Sequence, residues 1–271
     1  LCFCVCIYCS RFVESTDHCF ANHDRIAELN LYDGKADRYF SGSPVPLAEE
    51  LRTWALGETE AISSVTYPRE RPYYVELSPE KTLPYELETI EIDTCYNKIF
   101  TPEMVAGHWK MASQSLNSVI LSQSMAIKIF GNAESAIGKH MTLMRRLNTS
   151  PESTPKTGGI VYIIQAVMKD IPLNNSLDFM QNIDMLTVND SEGLLQSPKR
   201  HNMTGANTYV LLSPQTTCTD LEKQFSKRDY TYTLYDEAYT VTASNMGSRL
   251  KKQGASYLEL VTGTVGTLIL L

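Results

Sequence analysis

Residues 117–138, NSVILSQSMAIKIFGNAESAIG, constrain the fold of this chain more than any other stretch. The apolar run at 117–121 reads as a strand, and Ser122 can accept the free amides that open a helix. Met125, Ala126 and Ile129 then recur at helical spacing until Gly131 stops the turn. A second turn at Ala136, Ile137, Gly138 and Lys139 precedes the alternating Met141 and Leu143. The glycines invite comparison with a phosphate loop, which needs four residues between its glycines and a Ser or Thr after the lysine. Here six residues separate Gly131 from Gly138, and His140 follows Lys139. Successive amides at that spacing do not converge on one phosphate.

The rest of the chain alternates extended and helical patterns. Residues 24–32 read as a first strand. Residues 44–56 read as a helix with Leu47, Leu51, Trp54 and Ala55 on one face and Glu49, Glu50 and Arg52 on the other. Pro44 and Pro46 suit its start and Gly57 its end. Extended structure follows at 62–67, 73–77 and 87–93, the last alternating Leu87, Thr89 and Glu91 against Glu88, Ile90 and Ile92. The polar stretch 147–159, LNTSPESTPKTGG, reads as the tip of a hairpin whose arms lie near 140–146 and 160–168. Lys169-Asp170-Ile171-Pro172 closes the second arm. Asp170 has no His, Ser or second acid at a catalytic spacing, so it reads as a turn cap. Beyond Gly205 the pattern is strand, helix, strand. Residues 207–212 are extended, Thr219 and Glu222 form a capping box, and Leu221 and Phe225 share a buried face. Residues 230–243, rich in Tyr, Thr and Val, read as extended again. The aromatic stretches around Tyr73-Tyr74 and from Tyr230 to Tyr239 are candidates for a partner-facing surface.

Composition removes several function classes. The 31 acidic and 24 basic residues leave a net charge of −7. The basic residues are scattered, so no basic face is available for nucleic acid. The chain is long enough to bury a substantial core and to divide into two subdomains. Cys2, Cys4, Cys6 and Cys9 sit in an apolar leader with no His or acidic partner, as small apolar residues of a membrane helix do. Cys19, Cys95 and Cys218 permit one disulfide and require none. His18, His23, His108, His140 and His201 show neither HExxH nor other paired metal spacing. No GxSxG elbow occurs. The expectation is therefore no catalytic, cofactor-binding or metal site. The sequons at Asn148, Asn174, Asn189 and Asn202 are read as incidental.

The two ends are apolar. Residues 1–9, LCFCVCIYC, carry no charge, and residues 258–271 carry only Glu259. Neither reaches the roughly 20 residues that cross a bilayer. The first also lacks the basic leading region of a signal peptide. The two are expected to be parts of membrane helices flanking an insert.

The order of helix, Phe130-Gly131, Ile137-Gly138-Lys139, strand, Lys169-Asp170-Ile171-Pro172 and Asn174-Asn175-Ser176-Leu177 resembles the periplasmic core domain of MacB-type and FtsX-like ABC transporter permeases. Phe20, Asn22, Asp24, Arg25, Ile26 and Leu29 look like the segment after their first membrane helix. Residues 95–100 with Val105-Ala106-Gly107 are similar to their step from Phe to Gly-Arg, although His108 stands where Arg is usual. Residues 207–214 resemble their late strand leading into a helix. The resemblance covers roughly residues 18–250.

That resemblance implies an α+β fold: a porter-like subdomain of two strand-helix-strand arms, with a second mixed α+β subdomain inserted between them. The expected divisions are 1–17, a truncated first transmembrane helix and membrane-proximal segment; 18–96, the first arm; 97–203, the inserted subdomain; 204–257, the second arm; and 258–271, the start of a second transmembrane helix. The resemblance implies transmission of ATP-driven conformational change to cargo or a periplasmic partner. It implies no enzyme activity in this chain, hydrolysis on a separate ABC ATPase subunit, and a permease dimer. It further implies a periplasmic adaptor, lipoprotein or cell-wall enzyme as partner, and residence in the inner membrane of a Gram-negative bacterium with this segment in the periplasm. Two other classes remain as alternatives: a free-standing periplasmic sensor or ligand-binding domain, recognisable by one deep polar pocket, and a secreted hydrolase, which needs distant residues to converge.

Overall fold

The computed structural model describes residues 11–143, 160–177, 182–188 and 204–248, apart from 13, 41, 114, 116, 235 and 247. Strands β1 (Ile26–Asp33), β4 (Thr59–Thr66), β12 (Thr204–Leu212), β13 (Thr231–Leu234) and β14 (Glu237–Asn245) form an antiparallel sheet in the order β4-β12-β1-β14-β13. The short strands β2 (Arg38–Phe40) and β3 (Ser43–Pro44) add to β1 and β12. Alternation along β1 turns Ala27, Leu29 and Leu31 to one face. There they pack with Leu47, Ala48 and Leu51 of helix α1 (Leu47–Arg52) and with Leu221 and Phe225 of a C-terminal helix, Cys218–Ser226.

Six further strands pair in a closed circuit. β5 (Arg69–Ser78) and β6 (Lys81–Ile92) make a long hairpin. β5 pairs with β9 (His140–Leu143), β9 with β10 (Ile160–Met168), and β10 with β8 (Ser118–Ser122). β8 pairs with β11 (Met185–Val188), which returns to β6 in parallel register, Met185 opposite Thr89. Among the described residues each of these six strands has a partner on both sides. Its apolar cluster includes Tyr73, Val75, Leu87, Leu121, Met141 and Ile164.

Between the two helices and sheets lies a central cluster, with α2 (Tyr96–Phe100) at its middle. Phe100 meets the Phe20 ring edge-on at 5.3 Å and the Tyr209 ring at 5.1 Å. Ile26 and Tyr209 come from the open sheet, and Ile90, Ile120, Met168 and Leu186 from the closed circuit, so both share one core. The same junction holds a polar centre. Asp93 is 4% exposed and follows β6. Its carboxylate accepts from Arg52 Nη1 at 2.7 Å, Ser63 Oγ at 2.8 Å, Ser64 N at 2.9 Å and Cys95 N at 2.9 Å. Arg52 also donates to the Ile62 carbonyl at 2.8 Å and pairs with Glu49. One buried acid thereby ties α1, β4 and the start of α2 to the end of β6.

β7 (Met104–Gly107) lies against β10, and Gly107 takes φ +69° there. A Cβ at Gly107 would stand 2.2 Å from the Gln165 carbonyl oxygen, so only glycine permits this approach. Helix α3 (Trp109–Ser113) follows β7. Helix α4 (Gln123–Phe130) begins with Ser122 Oγ accepting from Met125 N and ends at Gly131 with φ +86°. Met125, Ala126 and Ile129 form its buried stripe, as their spacing predicts. β9 and β10 are the arms of the expected hairpin, Ile160 opposite Leu143; its tip lies outside the described residues.

Several local expectations are corrected. The helix expected over 44–56 is α1 alone: Pro44 pairs with Thr204 in β3, and Ala55 is exposed with φ +48°. Trp54 leaves the helix to pack on Tyr230, ring centroids 4.5 Å apart. The capping box of α5, the helix Cys218–Ser226, is Thr217 with Asp220, two residues earlier than Thr219 with Glu222. Glu222 instead accepts the Ala243 amide of β14 at 2.8 Å, which fixes the helix against the sheet. The extended run 230–243 is a hairpin that turns at Asp236, φ +64°, because Tyr232 and Tyr239 sit opposite one another and face the same core.

Two outcomes follow for stability. Asp93→Ala removes one acceptor of the partly buried Arg52 guanidinium and the side-chain acceptor of Ser63 Oγ and of two amides, and is expected to cost about 3–5 kcal/mol in denaturant unfolding. Ser63→Ala is expected to cost about 1 kcal/mol. At the α5 cap, hydrogen bonds from Thr217 and then Lys223 pull the Asp220 carboxyl down to about 2 from 3.8. A depressed carboxyl stabilises fully above its unfolded value and loses that contribution as pH falls through the folded one. Amide protection in the first turn of α5, relative to the intrinsic exchange rate at each pH, should therefore hold down to about pH 4 and fall toward pH 2; in Thr217→Val it should already be lowered at neutral pH.

Candidate functional site at the paired chain ends

Residues 169–177 follow β10 and hold the chain's N-terminal segment. Asn175 is 1% exposed; its Nδ2 donates to the Pro172 carbonyl at 2.6 Å and its Oδ1 accepts from Leu177 N at 2.8 Å. This turn presents Asn174 and Ser176 outward to residues 15–17. Asn174 Nδ2 donates to Ser15 Oγ at 3.1 Å, and its carbonyl accepts from Asp17 N at 3.0 Å. Asp17 Oδ1 accepts from Ser176 N at 2.6 Å and from Ser176 Oγ at 2.9 Å. Asp17 is 1% exposed and takes φ +70°.

The next residues are anchored to the open sheet and to α2. Phe20 is buried against Phe100. Asn22 Nδ2 donates to the Lys98 carbonyl at 3.3 Å. Arg25 donates to the Leu212 carbonyl at 2.8 Å, to Glu60 at 2.9 Å and to Asn22 Oδ1 at 3.2 Å. At the other end of the chain, β14 runs antiparallel beside β1, Asn245 opposite Ala27, and Met246 N donates to the Ile26 carbonyl at 2.8 Å. The segment entering β1 and the segment leaving β14 therefore meet at one end of the sheet.

The Cys19 thiol is pushed up to about 11 by burial and by the Asp17 charge, so it stays protonated at neutral pH. The His18 and His23 rings stack at 4.3 Å, and His23 Nδ1 lies 3.0 Å from Asp24 Oδ1. Cys19, Cys95 and Cys218 are free. Among the described residues no three His, Cys, Asp or Glu side chains are grouped to hold a metal ion, and no helix is long and apolar enough to cross a membrane. The apolar stretches 1–9 and 258–271 lie outside the described residues.

Asp170 has a structural role, but on a different element from the one expected. Its Oδ1 accepts from Ser124 N at 3.1 Å and Ser124 Oγ at 3.0 Å in the first turn of α4, instead of capping its own turn. The tyrosine surface is also corrected. Tyr73 is 1% exposed and Tyr232 and Tyr239 are 5% exposed, because alternation turns them to the core; Tyr74, at 38%, faces solvent. A half-open cleft of about 330 Å³ lies beside α4, lined by Ser124, Met168, Asp170, Ile183 and Asp184 among others.

Sequence reading found the 169–177 motif but not its partners. Asp17, Arg25 and Asp93 act through residues from about 30 to almost 190 positions away, and no local pattern records such pairings.

No family model and no curated protein matches the chain. Solved structures do. A domain of a protein described as a permease from Porphyromonas gingivalis matches with a TM-score of 0.61 at 19% identity, over 84% of this chain and 93% of that one. The periplasmic region of MacB from Actinobacillus actinomycetemcomitans matches with a TM-score of 0.54 at 14% identity, over 90% of this chain and 97% of that one. The chain has the mixed α+β fold of these permease domains.

Asp17→Ala removes the acceptor of both Ser176 bonds while leaving β1 and α2 untouched. Amide exchange of residues 15–25 is expected to rise at least about tenfold, as a lost buried bond of about 1.4 kcal/mol requires, with exchange in β12 unchanged. An equal rise in β12 would mean that the junction is not a separable clamp.

Proposed function

We propose that this chain is the extracytoplasmic domain of an ABC transporter permease, inserted between two membrane helices and transmitting ATP-driven conformational change to cargo or a periplasmic partner. The observation that carries the reading is the meeting of the segment entering β1 with the segment leaving β14, Met246 against Ile26, with residues 15–25 bonded to both the open sheet and the 169–177 loop. A displacement of an anchoring helix ahead of residue 15 would reach both halves of the fold through hydrogen bonds and through the shared aromatic core. The fold of the matched permease domains supports the same reading.

In this account residues 18–96 and 204–257 form the porter-like part around the open sheet, and residues 97–203 are the inserted part, whose strands pair with the β5-β6 hairpin of the first arm. ATP hydrolysis resides on a separate ATPase subunit. The permease works as a dimer in a bacterial inner membrane, with this domain in the periplasm. An adaptor, lipoprotein or cell-wall enzyme is the partner it addresses.

The test is purification of the full-length protein from membranes. Recovery of an ATPase subunit is expected, with ATP turnover that changes when residues 20–250 are deleted. A protein that leaves membranes without detergent, with no ATPase attached, would overturn the proposal and favour the free-standing sensor reading.

A further inference from the structure

The turn that receives the entering segment displays an aliphatic side chain to solvent. Leu173 is 66% exposed, level with Tyr39 and ahead of every other large apolar side chain among the described residues. Single apolar residues at a surface are ordinary, but this one is held rigidly in place. The Pro172 carbonyl before it accepts from Asn175 Nδ2 at 2.6 Å, and Asn174 after it donates from Nδ2 to Ser15 Oγ at 3.1 Å. The same Ser15 hydroxyl donates to the Phe12 carbonyl at 3.1 Å, and Ser15 N donates to the Arg11 carbonyl at 2.9 Å. Two hydrogen bonds through one hydroxyl therefore hold the backbone of Phe12 beside the residue that follows Leu173. Phe12 is itself 44% exposed, and Arg11 next to it is exposed. Upstream of them lie Ser10 and the uncharged apolar residues 1–9.

We infer that this junction is a lipid contact: Leu173 and Phe12 enter the interfacial layer of a phospholipid bilayer, with Arg11 at the level of the headgroups. The inference rests on the permease reading, which takes residues 1–9 as part of a membrane helix; it adds that the turn after β10, more than 150 residues further along the chain, touches the same bilayer. Chain length limits how far the junction can stand off. Three residues lead from Cys9 to Phe12, so Phe12 lies within about 11 Å of the apolar run even if the link is fully extended. The interfacial layer is roughly 5–8 Å deep on each side of the hydrocarbon. Leu173 shares the Ser15 anchor with Phe12 and is brought to the same depth. A leucine side chain carries no polar atom, so moving it from water to acyl chains is favourable. Arg11 stands where basic residues flank a membrane span, its stem along apolar surface and its charge among the headgroups.

The test is tryptophan fluorescence of the full-length protein in phosphatidylcholine vesicles, with and without bromine on the acyl chains close to the glycerol. Leu173→Trp is compared with Tyr39→Trp, an equally exposed position that pairs with Tyr32 near the far end of β1, after subtraction of the unsubstituted protein. Both changes lie at exposed side chains and leave the core intact. The Leu173→Trp emission is expected to shift to the blue, to be lost as brominated lipid replaces ordinary lipid, and to resist acrylamide dissolved in the water. Tyr39→Trp is expected to behave oppositely, quenched by acrylamide and indifferent to bromine. Protection of Leu173→Trp from acrylamide without quenching by bromine would mean that protein covers the site, and equal behaviour of the two variants would mean that nothing does; either result overturns the inference while the protein remains embedded. A protein that leaves the vesicles without detergent would overturn the permease reading, and the inference with it.

Discussion

The fold depends on the bonds that converge on Asp93. A carboxylate at 4% exposure is tolerable only when its oxygens are filled, and here an arginine, a hydroxyl and two amides fill them. The donors come from α1, from the middle of β4 and from the turn into α2. Those elements carry the open sheet's helical layer and the central aromatic cluster. The acceptor ends the strand whose other residues complete the closed circuit. The geometry of the junction between the two halves therefore rests on one charge whose misplacement would leave several buried groups unpaired at once.

Around that centre the motif residues act as fasteners. Asn174, Ser176 and Asp17 fix the entering segment to the loop after β10, Arg25 fixes it to β4 and β12, and Phe20 inserts into the shared core. Gly107 allows β7 to approach β10 more closely than any side chain would permit. In the closed circuit each described strand is held on both sides by another.

Local patterns were legible where one element decides its own conformation. Ser122, the 125-126-129 stripe and Gly131 specify α4 completely, since cap, buried face and exit all lie within one stretch of chain. The hairpin of β9 and β10 was readable from two extended arms around a polar tip. Reading failed where a distant group competes. Two overlapping capping frames exist at 217–222, and the choice between them is made by the Ala243 amide, which takes Glu222. The helix at 44 could not reach its expected length because Pro44 is drawn into pairing with Thr204. Tyr73, Tyr232 and Tyr239 looked like surface because strand alternation alone does not say which face is covered.

By itself the amino-acid sequence determined the mixed α+β character, the position of α4, the absence of a phosphate loop and the importance of residues 169–177. All but the last follow from spacing, capping and turn chemistry, which act over a few residues; residues 169–177 stand out through their resemblance to permease motifs. Tertiary structure alone decided that β11 returns to β6 to close the circuit, that Asp93 gathers donors from three elements, and that residues 15–26 and 245–246 share one end of the fold. Each of these joins groups separated by tens to hundreds of residues. Such pairings are chosen by burial and by the need to satisfy every enclosed polar atom, and they become readable only when the chain has folded.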